Sequence, residues 1–258
     1  MSSNLAKKFK SMNIGNVFDV DYMKNTWDDF SLVPVKKIVV NPPEHKYISV
    51  DVPSADGELD LSEALTIQPM YKNRTGSWHF RMYDNKKTCL TKYSDILSFL
   101  HGRKKYMILD EEPNYYYEGR FNVASMQYQS HGNWADIVIS YNLHPYKYDI
   151  YSSLEAWKWD PFNFENGVIR DYSNIIVRDG EVITLNLVGS RKPISPTFTA
   201  TGNGVVITFK GETYNLETYM EETVFAGIVL DEGDNELQLE LRVGDEAIVN
   251  IGYRGAYL

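Results

Sequence analysis

Between Leu90 and Arg120 the hydrophobic period of the chain changes once, and that change restricts the fold more than any other feature. Tyr93, Ile96, Leu97 and Leu100 fall at i, i+3, i+4 and i+7, which lines one face of a short helix over 91–101. Thr91 is placed to cap its start, and Gly102 to take the left-handed conformation just past its end. From Tyr106 the spacing becomes alternating: Tyr106 and Ile108, then Tyr115 and Tyr117, separated by Asp110-Glu111-Glu112-Pro113-Asn114, which has the composition of a turn. The pattern predicts a helix feeding directly into a β-ribbon.

Further along, strand follows strand. Ile175 to Val188 is broken at Asp179-Gly180, a pair suited to a type I′ hairpin turn, with Ile183, Leu185 and Leu187 on one face. Val205, Ile207 and Phe209 alternate after Gly202-Asn203-Gly204, read as another hairpin turn, and Leu237, Leu239, Leu241 and Val243 alternate with polar residues. Short strands, regular turns and no helical period predict a sandwich or jelly roll. A chain of 258 residues exceeds one small core, which suggests two domains, 1–148 and 149–258. Tyr141 to Asp171 mixes aromatics with Pro161, Asn163 and Asn166-Gly167 without a sustained period, so 149–171 reads as linker-like.

Charge separates the halves. Residues 1–148 hold 18 Lys/Arg against 17 Asp/Glu, net +1, and residues 149–258 hold 8 against 18, net −10, which together give the −9 of the chain. An acidic half discourages adhesion to nucleic acid and anionic surfaces. No stretch approaches the roughly 18 uninterrupted apolar residues of a membrane span, and the N-terminus has basic residues without an apolar segment after them. The single Cys89 excludes an intramolecular disulfide and suits folding in a cytosol.

The pattern offers no catalytic residue, no cofactor site and no metal site. Histidines 45, 79, 101, 131 and 144 do not pair at metal-ligand spacing, and His101 reads as a cap complementing the helix dipole. Cys89 reads as a small buried apolar residue. Asp110, Glu111 and Glu112, like Asp231, Glu232, Asp234 and Glu236, lack calcium-loop spacing and read as solvated turn acids. Two aromatic groups are candidate interface residues. Tyr115, Tyr116 and Tyr117 put at least one ring on each face of a ribbon, which suits a subunit contact or, alternatively, a core with one ordinary exposed ring. Trp157 and Trp159, on one side of an extended segment, could stack a sugar or pack the linker onto a domain.

Several segments in order resemble the distal tail protein (Dit) family of long-tailed phages and prophages of Gram-positive hosts. They are W-D-D-F-S-L (27–32), I-S-V-D-V-P-S-A-D-G-E-L-D-L-S-E-A-L (48–65), L-S-F-L-H-G-R-K (97–104) with I-L-D-E-E-P-N-Y-Y-Y-E-G-R (108–120), and L-H-P-Y-K-Y (143–148). Ser31 stands where that pattern has Gly, and Ser54-Ala55 where it has Gly-Arg; Leu230 to Glu236 resembles a turn of the family's second domain. The resemblance implies a mainly β fold: an N-terminal β-sandwich with one α-helix, then a C-terminal galectin-like jelly-roll β-sandwich. It further implies a structural, non-enzymatic baseplate hub at the virion tail tip, assembled in the bacterial cytoplasm. Six copies would form a ring around the channel through which DNA passes. Its partners would be the tail tube protein, a tail-tip or tail-associated protein and a receptor-binding protein, with no membrane and no specific nucleic-acid binding. A carbohydrate-binding module recognising cell-wall glycans is the alternative, and a wall-degrading enzyme ranks third.

Overall fold

The computed structural model describes residues 11–16, 19–54, 56–64, 68–155, 170–217 and 221–258. The chain divides into two compact units, residues 1–147 together with 258, and residues 148–257.

In the first unit, β1 (Met12–Asn16), β2 (Asp19–Asn25), β3 (Val33–Pro34), a separate hairpin of β4 (Ser49–Asp51) and β5 (Glu58–Asp60), and β6 (Arg74–Tyr83) precede helix α1 (Lys86–Leu100). After it come β7 (Lys104–Leu109), β8 (Tyr115–Gln129) and β9 (Trp134–Asp149). One sheet carries them in the order β2-β1-β7-β8-β9-β6-β3. Period-2 alternation turns Trp78, Phe80 and Met82 of β6 inward, paired with Ile139, Ile137 and Ala135 of β9. The face they form packs with Ile96, Leu100 and Cys89 of α1 into one core. Each such aliphatic or aromatic side chain contributes about 1.5–3 kcal/mol by leaving water.

The helix starts at Lys86 rather than Thr91. Asn85, with extended backbone, is the N-cap and its Oδ1 accepts from the Thr88 amide at 3.0 Å. Thr91 lies inside the helix and donates its hydroxyl to the Lys87 carbonyl. The apolar stripe reaches back to Cys89, and Leu97 is only half-buried. Gly102 has φ +70°, as the sequence predicts for the end of the helix. His101 caps through its backbone N–H to the Leu97 carbonyl, while its Nδ1 accepts from the Val123 amide at 3.3 Å. The imidazole thus engages β8 rather than the end of the helix. On β7 the inward residues are Met107 and Leu109, one step out of phase with Tyr106 and Ile108, because the ladder places them beside Ile14 and Met12. Ser31 and Ser54 have φ +54° and +68°, left-handed geometry that explains why glycine would suit both places. Strand β9 runs unbroken to Asp149, so the part of Tyr141–Asp171 read as aperiodic that falls before residue 150 is strand, with Tyr141 stacked on Trp78 at 4.1 Å.

The second unit contains β10 (Ile175–Arg178), β11 (Val182–Gly189), β12 (Thr197–Thr201), β13 (Val205–Phe209), β14 (Glu212–Leu216), β15 (Thr223–Val224), β16 (Gly233–Leu241), β17 (Glu246–Gly252) and β18 (Ala256–Tyr257). Two four-stranded sheets, β10-β17-β12-β15 and β11-β16-β13-β14, enclose a core that includes Val177, Leu187, Phe198, Ile207, Leu239 and Val249. Asp179-Gly180 and Gly202-Asn203-Gly204 are therefore arches between sheets, not hairpins: β10 pairs with β17 whereas β11 pairs with β16, and β12 pairs with β17 whereas β13 pairs with β16. A two-residue hairpin closes instead at Lys210-Gly211, both at positive φ, with Phe209 opposite Glu212. Ile183 and Leu185 are half-buried because β11 is an edge strand, and Val243 lies beyond the end of β16, exposed. The turn before β16 is held by Asn235, whose Nδ2 lies within reach of the carbonyls of Asp231 (2.8 Å), Gly233 (2.9 Å) and Leu187 (3.3 Å), while its Oδ1 accepts from the Asp231 amide.

Candidate assembly surface

Among the described residues the β4–β5 hairpin is bonded to none of the three other sheets. Val50 stands opposite Leu59, and the polar neighbours Ser49 and Asp51 stand opposite Asp60 and Glu58. Alternation thus places Ile48, Val50, Leu59 and Leu61 on one face and the polar residues on the other. That apolar face is open to solvent: Ile48 is 56 % exposed, Val50 47 %, Leu59 53 % and Leu61 37 %. The base is fixed, with the Ile48 amide donating to the Ser62 hydroxyl at 2.9 Å and the Leu61 amide to the Ile48 carbonyl at 2.8 Å. A two-stranded ribbon is marginal by itself in water, and a contiguous exposed apolar face marks a contact surface. The chemistry available here is association, through side-chain burial and the ribbon's unpaired edges. The sequence carries the signal as alternation on both sides of Pro53-Ser54, inside the 48–65 segment.

The three tyrosines are divided by the structure. Tyr117 is in the core, its hydroxyl donating to Glu112 Oε2 at 3.1 Å, with the Arg74 guanidinium 5.7 Å from its ring. Burial pushes the Tyr117 phenol well above its usual range, and the Glu112 charge adds to the effect. Tyr116 is buried on the other face, edge-on to Tyr106 at 5.4 Å. Tyr115 alone keeps partial exposure, under the Lys147 ammonium at 4.7 Å. Trp157 and Trp159 lie outside the described residues.

Asp110 and Glu112, after β7, are half-buried and partnered, which corrects the solvated reading for these two, whereas Glu111 is exposed as read. Asp110 accepts from the Ser11 amide and hydroxyl, Glu111 pairs with Lys37 at 2.9 Å, and Glu112 holds both Tyr117 and Lys147. Asp231 and Glu232 form exposed pairs with Lys210 and Arg191. Cys89 is buried, and burial raises its thiol above the ordinary range. Among the described residues no group of three or more His, Cys, Asp or Glu side chains is disposed to hold a metal, and no helix is long and apolar enough to cross a membrane.

Among the described residues, a first unit whose sheet runs β2-β1-β7-β8-β9-β6-β3 with one helix, followed in sequence by a unit of two four-stranded sheets, defines a mainly β, two-unit architecture. No family model and no curated relative matches the chain. Among solved structures, that of Dit (gp 19.1) from SPP1 matches over 95 % of this chain and 99 % of that one, with TM-score 0.52 and 10 % identity. That protein is described as a paradigm of the hub adsorption apparatus in phages infecting Gram-positive bacteria. The chain has the Dit-like distal tail protein fold.

Proposed function

We propose that this chain is a structural component of a phage tail: a distal hub whose first unit closes into a six-copy ring joining the tail tube to the tail-tip adsorption apparatus. The observation that carries the reading is the β4–β5 arm with its apolar face uncovered in the single copy. An arm on one copy that docks on a different surface of the next is a heterologous contact, and such contacts repeated by a closing rotation give a ring of fixed size. The near-neutral charge of residues 1–148, +1 from 18 basic and 17 acidic residues, spares six adjacent copies strong repulsion. The Dit-like fold supports the assignment to a tail. Assembly, with no substrate turned over, is the mechanism: hydrophobic burial of the arm supplies the association energy and the sheet-and-helix body of the first unit sets the angle. Electron microscopy of the concentrated protein and of assembled tails tests this. Six-fold rings are expected; a two- or three-fold particle in the tail would overturn the reading.

A further inference from the structure

Two cations of the first unit converge on the Phe99 ring, and a third stands close by. Lys24 Nζ from β2 lies 5.1 Å from the centre of Phe99 and 5.5 Å from that of Phe30, and Lys105 Nζ from β7 lies 3.9 Å from Phe99. Arg103, just before β7, is exposed and close enough for its charge to act on Lys105. None of the three forms an ion pair with a carboxylate among the described residues, whereas nearby Lys104 pairs with Glu118 and Lys92 with Asp84. The lysine stems cover the phenylalanine edge, and the end of α1 contributes at most about half an elementary negative charge. Most of three positive charges therefore stays uncompensated. Burial pulls Lys105 below its ordinary range, and the charges of Arg103 and Lys24 push it the same way.

We infer that Lys24, Arg103 and Lys105 form a docking surface for carboxylates of the acidic second unit of a neighbouring copy. The inference rests on the self-assembly proposed above and adds a second contact to it. Charge selects the occupant. Residues 149–258 carry 8 basic against 18 acidic residues, −10 net, so every added copy brings a complementary surface. Nucleic acid is the poorer fit, because a chain of net −9 repels a polyanion at long range. The contact orients a copy before its arm seats, as complementary rim charges steer encounter and fix register.

The test is zero-length carbodiimide cross-linking of the full chain, mixed from light and ¹⁵N-labelled copies, read by mass spectrometry beside sedimentation velocity at low and high salt. Intermolecular links from Lys24 or Lys105 to carboxylates within 171–258 are expected. Lys24→Glu/Lys105→Glu should weaken assembly at least tenfold, while Lys36→Glu/Lys87→Glu, with the same change of net charge at exposed positions, should not. Lys24→Gln/Lys105→Gln gives the same comparison if charge reversal prevents folding, which thermal melting will show. Rings that form with no such links and no response to the lysine variants would overturn this contact and leave the ring reading standing. No self-association at any concentration would overturn both. Links only to carboxylates of residues 1–147, or duplex DNA binding abolished by the same variants, would overturn the assignment of the occupant.

Discussion

Arg170 donates from Nη1 to Asp149 Oδ2 at 2.7 Å, with side-chain exposures of only 8 % and 17 %. The pair sits where the second unit begins and ends: the Asp149 amide donates to the Gly255 carbonyl, the Gly255 amide donates back to Asp149 Oδ2, and Arg170 Nη2 donates to the Tyr257 hydroxyl. Burial raises Asp149 above the ordinary carboxylate range, against the pull of Arg170 and the hydrogen bonds from Tyr257 and Gly255. The carboxylate therefore remains costly to keep charged even with its cation in place.

Arg170→Ala removes that cation and leaves a buried carboxylate, so stability at neutral pH should fall by about 3–5 kcal/mol. The sign of the pH dependence follows. A carboxyl whose folded value lies above its unfolded value favours folding when protonated, and that contribution is lost as pH rises through the folded value. Without Arg170 the folded value moves further up. The variant should recover stability relative to wild type as pH is lowered, in urea melts at a series of pH values; a constant difference across the series would disprove the account.

Ile96 is fully buried at the centre of the α1 stripe, whereas Ser94 is exposed and bonds back to the Leu90 carbonyl. Ile96→Ala should cost about 2–5 kcal/mol. Ser94→Ala should change stability by less than about 0.5 kcal/mol. Thermal melts of the two variants check the register, and equal shifts would refute it.

Asn235→Ala leaves carbonyls of Asp231, Gly233 and Leu187 without this donor, at a cost of about 1–3 kcal/mol. Asn235→Asp should be worse near neutrality, because a carboxylate cannot donate to those carbonyls. It should improve on acidification, when the protonated acid regains one donor. Denaturant midpoints of the two variants at neutral and acidic pH check both ranks.

Periodicity made some of this structure readable and could not reach the rest. The spacing of Ile96 and Leu100, and of Leu237, Leu239 and Leu241, states which face is apolar, and these faces are in fact buried. It does not state the partner strand. Val177 and Leu187 both face the core from either side of Asp179-Gly180, a pattern that a hairpin and an arch between sheets share. Alternation was equally mute about the arm, since Ile48, Val50, Leu59 and Leu61 read alike whether covered or bare. The start of α1 is not legible in the spacing, because Asn85 lies ahead of the clear stripe and Thr91 imitates a cap.

Gly211 has φ +84° and an added Cβ would meet nothing within 4 Å. Gly211→Ala therefore isolates the backbone term and should cost about 1–2 kcal/mol. Ser54, at φ +68°, is the converse: Ser54→Gly should raise stability, since the strained non-glycine conformation is relieved. Opposite shifts in melting temperature are expected, and a loss of stability in both variants would contradict the assigned turn geometry.

The arm lets the proposed assembly be tested apart from folding. Val50 and Leu59 face each other across β4 and β5 and remain about half exposed, so a single copy gains little from them. Val50→Asp/Leu59→Asp should leave the melting of the single copy within about 1 kcal/mol of wild type, as exposed positions away from special geometry do. In the proposed ring the same pair would place two carboxylates in a dehydrated contact, where an unpaired charge is expensive. Sedimentation velocity should then show loss of the ring with no loss of fold by circular dichroism. A variant that assembles as wild type would remove the arm from the interface, and one that unfolds would show that the apolar face serves the single copy after all.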